Sequence, residues 1–157
     1  MSKRTIGTCV LAMGLLAAAA ATQVRAGVDG DVRAGAYADA EAPMVGGGML
    51  FDLEKSKHWF FNPNAELVFP DEGDLLTLNG DFHYDFASSK RVSYWVGAGP
   101  AVLLADDDLG GDNDNADFGA NLLGGLGAVH GDVRPFGQVK VTLADDTEAA
   151  LLFGIRF

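Results

Sequence analysis

From Leu76 to Phe86, apolar and polar positions alternate without a break. Leu76, Leu78, Gly80, Phe82, Tyr84 and Phe86 fall on one side, with Thr77, Asn79, Asp81, His83 and Asp85 on the other. A period of two belongs to an extended strand, whose successive side chains point to opposite faces. The same division recurs along the chain, and the spacing predicts eight strands. They are Asp31–Ala40, Met44–Leu53, Trp59–Phe69, Leu76–Phe86, Val92–Leu104, Phe118–Val129, Phe136–Leu143 and Ala149–Phe157. No segment carries the stripe and end signals of an amphipathic helix. Glycines at 46–48 and between Gly119 and Gly127 suit strands whose backbones approach closely or bend. Pro63 and Pro100 interrupt the ladders they fall in, and bulges are expected there.

The connections alternate in character too. After the second, fourth and sixth segments come "EKSKH", "SSKR" and "HGDVR", which hold Lys55, Lys57, Lys90, Arg91 and Arg134. After the first, third, fifth and seventh come "AEA", "PDEGD", "DDDLGGDNDNAD" and "ADDTE", with no basic residue among them. An up-and-down meander puts odd and even connections at opposite ends, so one end is basic and short-turned. The other is acidic and carries the long loop.

Which row of side chains faces water decides between a soluble and a membrane barrel. The lumen of an eight-stranded barrel is just wide enough for side chains to fill. The row containing Phe82, Tyr84, Phe86, Leu151, Phe153, Ile155 and Phe157 is bulky in several strands at once. The opposite row mixes glycine and alanine with Arg33, Asp52, Asn64, Glu66, Asp81, His83, Gln138, Lys140 and Arg156. Small residues with pairable ions suit a narrow interior, and large apolar groups suit lipid. Arg or Lys facing lipid at mid-depth would cost ~2–4 kcal/mol each, and the apolar rows carry no charge. Phe51, Trp59, Phe61, Tyr84, Phe86, Tyr94, Phe136 and Phe157 gather near the basic end, as an interfacial girdle would. A bilayer-spanning strand takes about 9–11 residues, which most segments supply. The pattern therefore predicts an all-β, eight-stranded antiparallel up-and-down transmembrane β-barrel.

The first 26 residues read differently. Lys3 and Arg4 open the chain, 6–21 is a run of apolar and small residues, and "QVRA" follows with Val24 and Ala26 at the small-residue positions of a cleavage site. This is the pattern of a secretory signal peptide, with cleavage after Ala26 and a barrel domain over residues 27–157. The only cysteine, Cys9, lies inside that signal and precedes most of its apolar core, so disulfides and lipidation are both unexpected. Removing Lys3, Arg4 and Arg25 leaves 8 basic and 22 acidic residues, a formal charge of −14. Such a balance speaks against nucleic acid as a partner. The remaining 131 residues suffice for one domain.

A signal peptide, eight alternating segments and a last strand reading "AALLFGIRF" resemble the small Gram-negative outer-membrane β-barrel proteins of the OmpA/OmpX-like, opacity-protein-like group. "VRPFGQVKVTL" is similar to that group's penultimate strand, and no peptidoglycan-binding domain is expected after it, unlike in full-length OmpA proteins. The resemblance spans residues 27–157. It implies a bacterial outer-membrane location, surroundings of outer-membrane lipid and lipopolysaccharide, and insertion by the barrel-assembly machinery. Leu151, Phe153, Ile155 and Phe157 would be the assembly signal. It also implies a monomer, without cofactor, of structural or surface-interaction role and not an enzyme. Short loops temper an adhesive function; a narrow channel for small solutes or a lipid-modifying enzyme is the alternative.

Three groups of residues are candidates for chemistry. Arg33, Lys140 and Arg156, with Asp52, Glu66, Asp81 and Asp85, are expected to form a salt-bridged lumen network that also includes His83, since unpaired buried charges are expensive. Asp81, His83 and Asp85 share a face at two-residue spacing, and a carboxylate could orient the imidazole as a general base. Ser93 on the next strand is the nearest nucleophile, yet this row faces the lumen and not lipid. Within "DDDLGGDNDNAD", Asp106, Asp108, Asp112, Asp114 and Asp117 approach calcium-loop spacing. Gly110 stands at the fifth position, Asp117 replaces the closing Glu, and flanking helices are missing. A solvated acidic loop is the plainer reading.

Overall fold

The computed structural model describes residues 28–38, 41–53, 58–70, 73–86, 91–105 and 116–157. Eight strands follow in order: β1 Val28–Tyr37, β2 Ala42–Asp52, β3 Trp59–Val68, β4 Leu75–Phe86, β5 Val92–Ala105, β6 Asp117–Ala128, β7 Arg134–Leu143 and β8 Thr147–Arg156. Each pairs antiparallel with its neighbour in sequence, and β1 pairs with β8. The sheet is a closed barrel, and the described residues contain no helix. The signal-peptide reading, Lys55, Lys57, Lys90, and Asp106, Asp108, Asp112 and Asp114 lie outside the described residues.

Closure is made by Asp31 opposite Arg156 through Tyr37 opposite Ala150. Gly30 and Phe157 add a reciprocal backbone pair at 2.9 Å in each direction. Most strand bounds fall within two residues of the pattern; β1 begins three residues early. Val28, Asp29 and Gly30 do not look like a strand by alternation, but they pair with Phe51, Leu50 and Met49 of β2.

The prolines do not make bulges. The β2–β3 register is the same on either side of Pro63, with Gly48 opposite Asn64 and Phe51 opposite Phe61. The β4–β5 register likewise resumes unchanged across Pro100, from Asn79 opposite Ala101 to Phe82 opposite Ala98. Proline removes a donor without adding a residue, so the ladder lapses and does not slip. At the first lapse the Asn62 amide donates to the Met49 carbonyl at 2.8 Å.

The outward row of the eight strands carries no charged residue from β1 to β8. Phe82 is 45% exposed and Phe153 62%. The inward row fills the lumen in three layers. At the acidic end Tyr37, Ala42, Met44, Val68, Ala150 and Leu152 form an apolar cap. Polar and charged side chains occupy the middle. Toward the basic end, Trp95, Leu123 and Phe136 form a second apolar cluster. Phe136 thus lies inside and not in the aromatic girdle: it shares parity with Gln138 and Lys140, and its ring rests on Gly154, where a Cβ would come within 2.5 Å of it.

Candidate functional site

The middle of the lumen is the site whose chemistry the fold assembles. Lys140 on β7 is 0% exposed and reaches Glu66 on β3, four strands away around the barrel and also 0% exposed. Its ammonium donates to Glu66 Oε2, which also accepts from Tyr37 and Thr77 hydroxyls at 3.3 Å. The ammonium also lies 5.4 Å from the centre of the Tyr37 ring. Arg33 on β1 grips Asp31 with two donors, Nε to Oδ1 and Nη2 to Oδ2, both at 2.8 Å. Asn62 closes the triangle, accepting from Arg33 at 2.8 Å and donating to Asp31 at 3.1 Å. Arg33 Nη1 stands 3.7 Å from Glu66 Oε1, which joins the two ion pairs into one cluster.

Asp81 is held differently. It is fully buried, and its carboxylate accepts from Asn64 at 2.9 Å and Asn121 at 2.9 Å, with no cation in hydrogen-bond contact among the described residues. The amides continue the chain. Asn79 donates to Asn64 at 3.0 Å, Asn121 donates to Asn79 at 2.8 Å, and Thr142 donates to Asn121 at 2.9 Å. Short side chains from β3, β4, β6 and β7 therefore cross the lumen and match donor to acceptor, which is what a buried polar group requires.

Of the residues expected in the network, Arg33, Glu66 and Lys140 come together, with Asp81 beside them through amides. The other four lie nearer the basic end. Asp52 is half-buried on β2 opposite Phe60. Asp85 accepts from the Ser93 hydroxyl at 3.0 Å. Arg156 lies over the Trp95 and Phe136 rings, 4.3 and 4.9 Å from their centres. His83 stacks parallel to Trp95 at 6.2 Å, and both its ring nitrogens lack a hydrogen-bond partner among the described residues.

This geometry does not assemble a general base. His83 is bonded to neither Asp81 nor Asp85, and Ser93 is engaged by Asp85 and not by the imidazole. Among the described residues no group of three His, Cys, Asp or Glu side chains could hold a metal ion. Asp117, the one acid of the long loop that is described, opens β6 opposite Leu103 and is exposed.

Asp31 and Trp95 are among the contributors not singled out from sequence, with Asn62, Asn121 and Thr142. Asp31 reads as a strand start, and only its position across from Arg156 and beside Arg33 makes it the main partner of a buried guanidinium. Trp95 shares parity with Ser93 and Gly97, which marks it as inward-facing. Its seat is Gly125 of β6, where a Cβ would meet the indole at 2.5 Å. The glycine-rich run of β6 is the sequence signal for a large ring packed against it.

No family model matches the chain, and no curated protein matches it. Solved structures do. The N-terminal β-barrel domain of Pseudomonas aeruginosa OprF is similar with a TM-score of 0.69 and 16% identity, covering 86% of this chain and 98% of that one. Neisserial surface protein A is similar with a TM-score of 0.60 and 15% identity, covering 82% of this chain and 94% of that one. A barrel from the de novo design of transmembrane β-barrels gives a TM-score of 0.57 and 14% identity, covering 86% of this chain and 97% of that one. The shared property is the closed eight-stranded transmembrane barrel. A designed barrel matches as fully as natural ones, so the likeness carries architecture and not activity.

Proposed function

We propose that the chain is an outer-membrane β-barrel protein of structural or surface-interaction role, exported by its N-terminal signal, and neither an enzyme nor a channel. The observation that carries this reading is the uncharged outward row of all eight strands, Phe82 and Phe153 included. In water such a surface would be an unbroken apolar belt, far beyond the patches that soluble monomers tolerate. In a bilayer it faces hydrocarbon, and every strand edge is closed.

In this reading the basic turns and both strands β1 and β8 begin or end on the periplasmic side, and the acidic loops face outward. Outer-membrane lipid and lipopolysaccharide surround the belt. Leu151, Phe153, Ile155 and Phe157 are what the assembly machinery engages. The lumen serves as a plug: Lys140–Glu66 spans its width, and Asn121, Asp81 and Asn79 cross it again.

Membrane fractionation and heat-modifiable gel mobility test the location and the barrel together. Phe82→Arg puts a charge on the outward row of the central part of β4. Its expected effect is a loss of ~2–4 kcal/mol in stability in vesicles, read by urea titration. A neutral or stabilising effect, with the protein in the osmotic-shock fraction, would mean a soluble barrel. Planar bilayers are expected to show no discrete conductance, and overexpression no change in lipid A mass.

A further inference from the structure

Among the acids of the middle layer, Asp31 and Glu66 are neutralised by contact: Arg33 grips the first, and the Lys140 ammonium donates to the second. Asp81 is the exception. It is 0% exposed, and among the described residues only the Asn64 and Asn121 amides donate to it, one to each oxygen. Lys140 and Arg33 act on it from a distance and not by contact. A buried carboxylate without a cation is neutralised by a proton instead, and each oxygen, accepting one bond, keeps a lone pair for it.

A way in lies on the same strand. Asp81, His83 and Asp85 all face inward on β4, successive members about 7 Å apart along the strand. Burial is graded along this row. Asp85 is half-buried beside Ser93 at the basic end, His83 is 2% exposed and Asp81 0%. Both His83 ring nitrogens are buried and without a hydrogen-bond partner among the described residues, and Trp95 stacks on the ring face. Arg156 Nε and Gln138 Nε2 are buried and unpartnered beside the same indole. Together these atoms offer water the two to four polar partners that it needs in an interior. The acidic end offers no such entry: its apolar cap has no residue more than 5% exposed.

We infer that Asp81 is an internal proton-binding site, filled and emptied from the basic end by way of Asp85 and His83. That this end is the periplasmic one rests on the membrane reading above; the route does not. A proton from solvent is taken up by the Asp85 carboxylate and passes through one water to an imidazole nitrogen. The imidazolium then releases the proton of its other nitrogen through a second water to Asp81, which becomes the neutral acid. The reverse order empties the site, and nothing leaves at the acidic end. The polar groups around His83, besides the two acids of its own strand, are Arg33 of β1, Arg156 of β8 and Gln138 of β7 beside Trp95. Around Asp85 they are Ser93, Arg156 and His58. His83 carries the proton in transit, and Asp81 stores it.

The test uses the full folded barrel in phosphatidylcholine nanodiscs, where both ends meet the buffer. Infrared spectroscopy follows the carbonyl stretch of a protonated carboxyl after a jump to lower pH. A band that Asp81→Asn removes identifies the site. His83→Leu should keep that band at equilibrium but slow its rise about a hundredfold, the low end of what a positioned proton carrier contributes. Asp85→Asn should slow it less, and Met44→Leu, in the apolar cap, should change neither band nor rate. Each variant is first shown to keep heat-modifiable mobility. Should His83→Leu not fold, Asp85→Asn at its half-buried position carries the test. An Asp81 that stays ionised down to the acid limit of folding would overturn the inference, as would an unchanged rate in either variant of the route. So would a rate that Met44→Leu alters, since entry would then be through the cap. A barrel recovered from the osmotic-shock fraction, with the expected rates in plain buffer, would strike the membrane reading and leave the proton route standing.

Discussion

Two adjoining layers of the lumen solve the same problem by different means. In the middle layer, Asp31, Arg33, Asn62, Asn64, Glu66, Asn79, Asp81, Asn121, Lys140 and Thr142 are joined by directed hydrogen bonds between 2.8 and 3.3 Å and the Lys140–Glu66 contact. In the layer toward the basic end, charge and polarity lean on aromatic faces. Arg156 lies over Trp95 and Phe136, and His83 stacks on Trp95. There Arg156 Nε, Gln138 Nε2 and both His83 nitrogens have no hydrogen-bond partner among the described residues, whereas the two such atoms of the middle layer, Arg33 Nη1 and Glu66 Oε1, face each other as an ion pair at 3.7 Å. A directed network loses heavily when one member goes, because the others keep their desolvation cost. A stacked layer depends on shape and tolerates a change of polarity.

The largest expected effect breaks the first layer. Lys140→Met leaves the Glu66 carboxylate buried with only Arg33, 3.7 Å away, as a cationic neighbour among the described residues. Removing one partner of a buried pair costs about 3–5 kcal/mol, measurable as a lowered urea midpoint in vesicles. Lys140→Met combined with Glu66→Gln should recover much of that loss, and a double variant as unstable as the single one would show that the pair is not the unit. Next comes the second layer's geometry. Gly125→Ala drives a methyl against the rigid Trp95 ring and should cost ~1–3 kcal/mol, with a shift in Trp95 fluorescence; Gly124→Ala, facing outward, should change neither. The smallest effect is expected at His83. Because its nitrogens bond nothing among the described residues, His83→Leu should change stability by less than about 1 kcal/mol. A loss as large as that of Lys140→Met would refute the contrast between the layers.

The alternation along the chain made the strands legible because two different solvents, lipid outside and packed polar groups inside, impose opposite demands on adjacent residues. It gave the inward side of Glu66, Asp81, His83 and Lys140 directly. Which of them would touch depended on barrel registers that alternation does not contain. Lys140 finds Glu66 across the full width of the lumen, and Asp81 is served by Asn64 and Asn121, not by a cation. Phe136 shows where composition misled. An aromatic near the basic end fits a girdle, but its parity with Gln138 and Lys140 already placed it inside. Val28 to Gly30 stayed hidden because two of the three are small or acidic, and their pairing is dictated by β2.

The seam between β1 and β8 sets a rule for the life of the polypeptide before it reaches its membrane. Asp31 must wait for Arg156, and Ala34 for Phe153, almost the whole barrel's sequence later. Until those partners have been synthesised, both margins of the growing meander expose unanswered amides and carbonyls, a template for promiscuous association. Hence the barrel cannot close piecemeal as the chain is made; its seam is sealed in one late event, once β8 exists to meet β1.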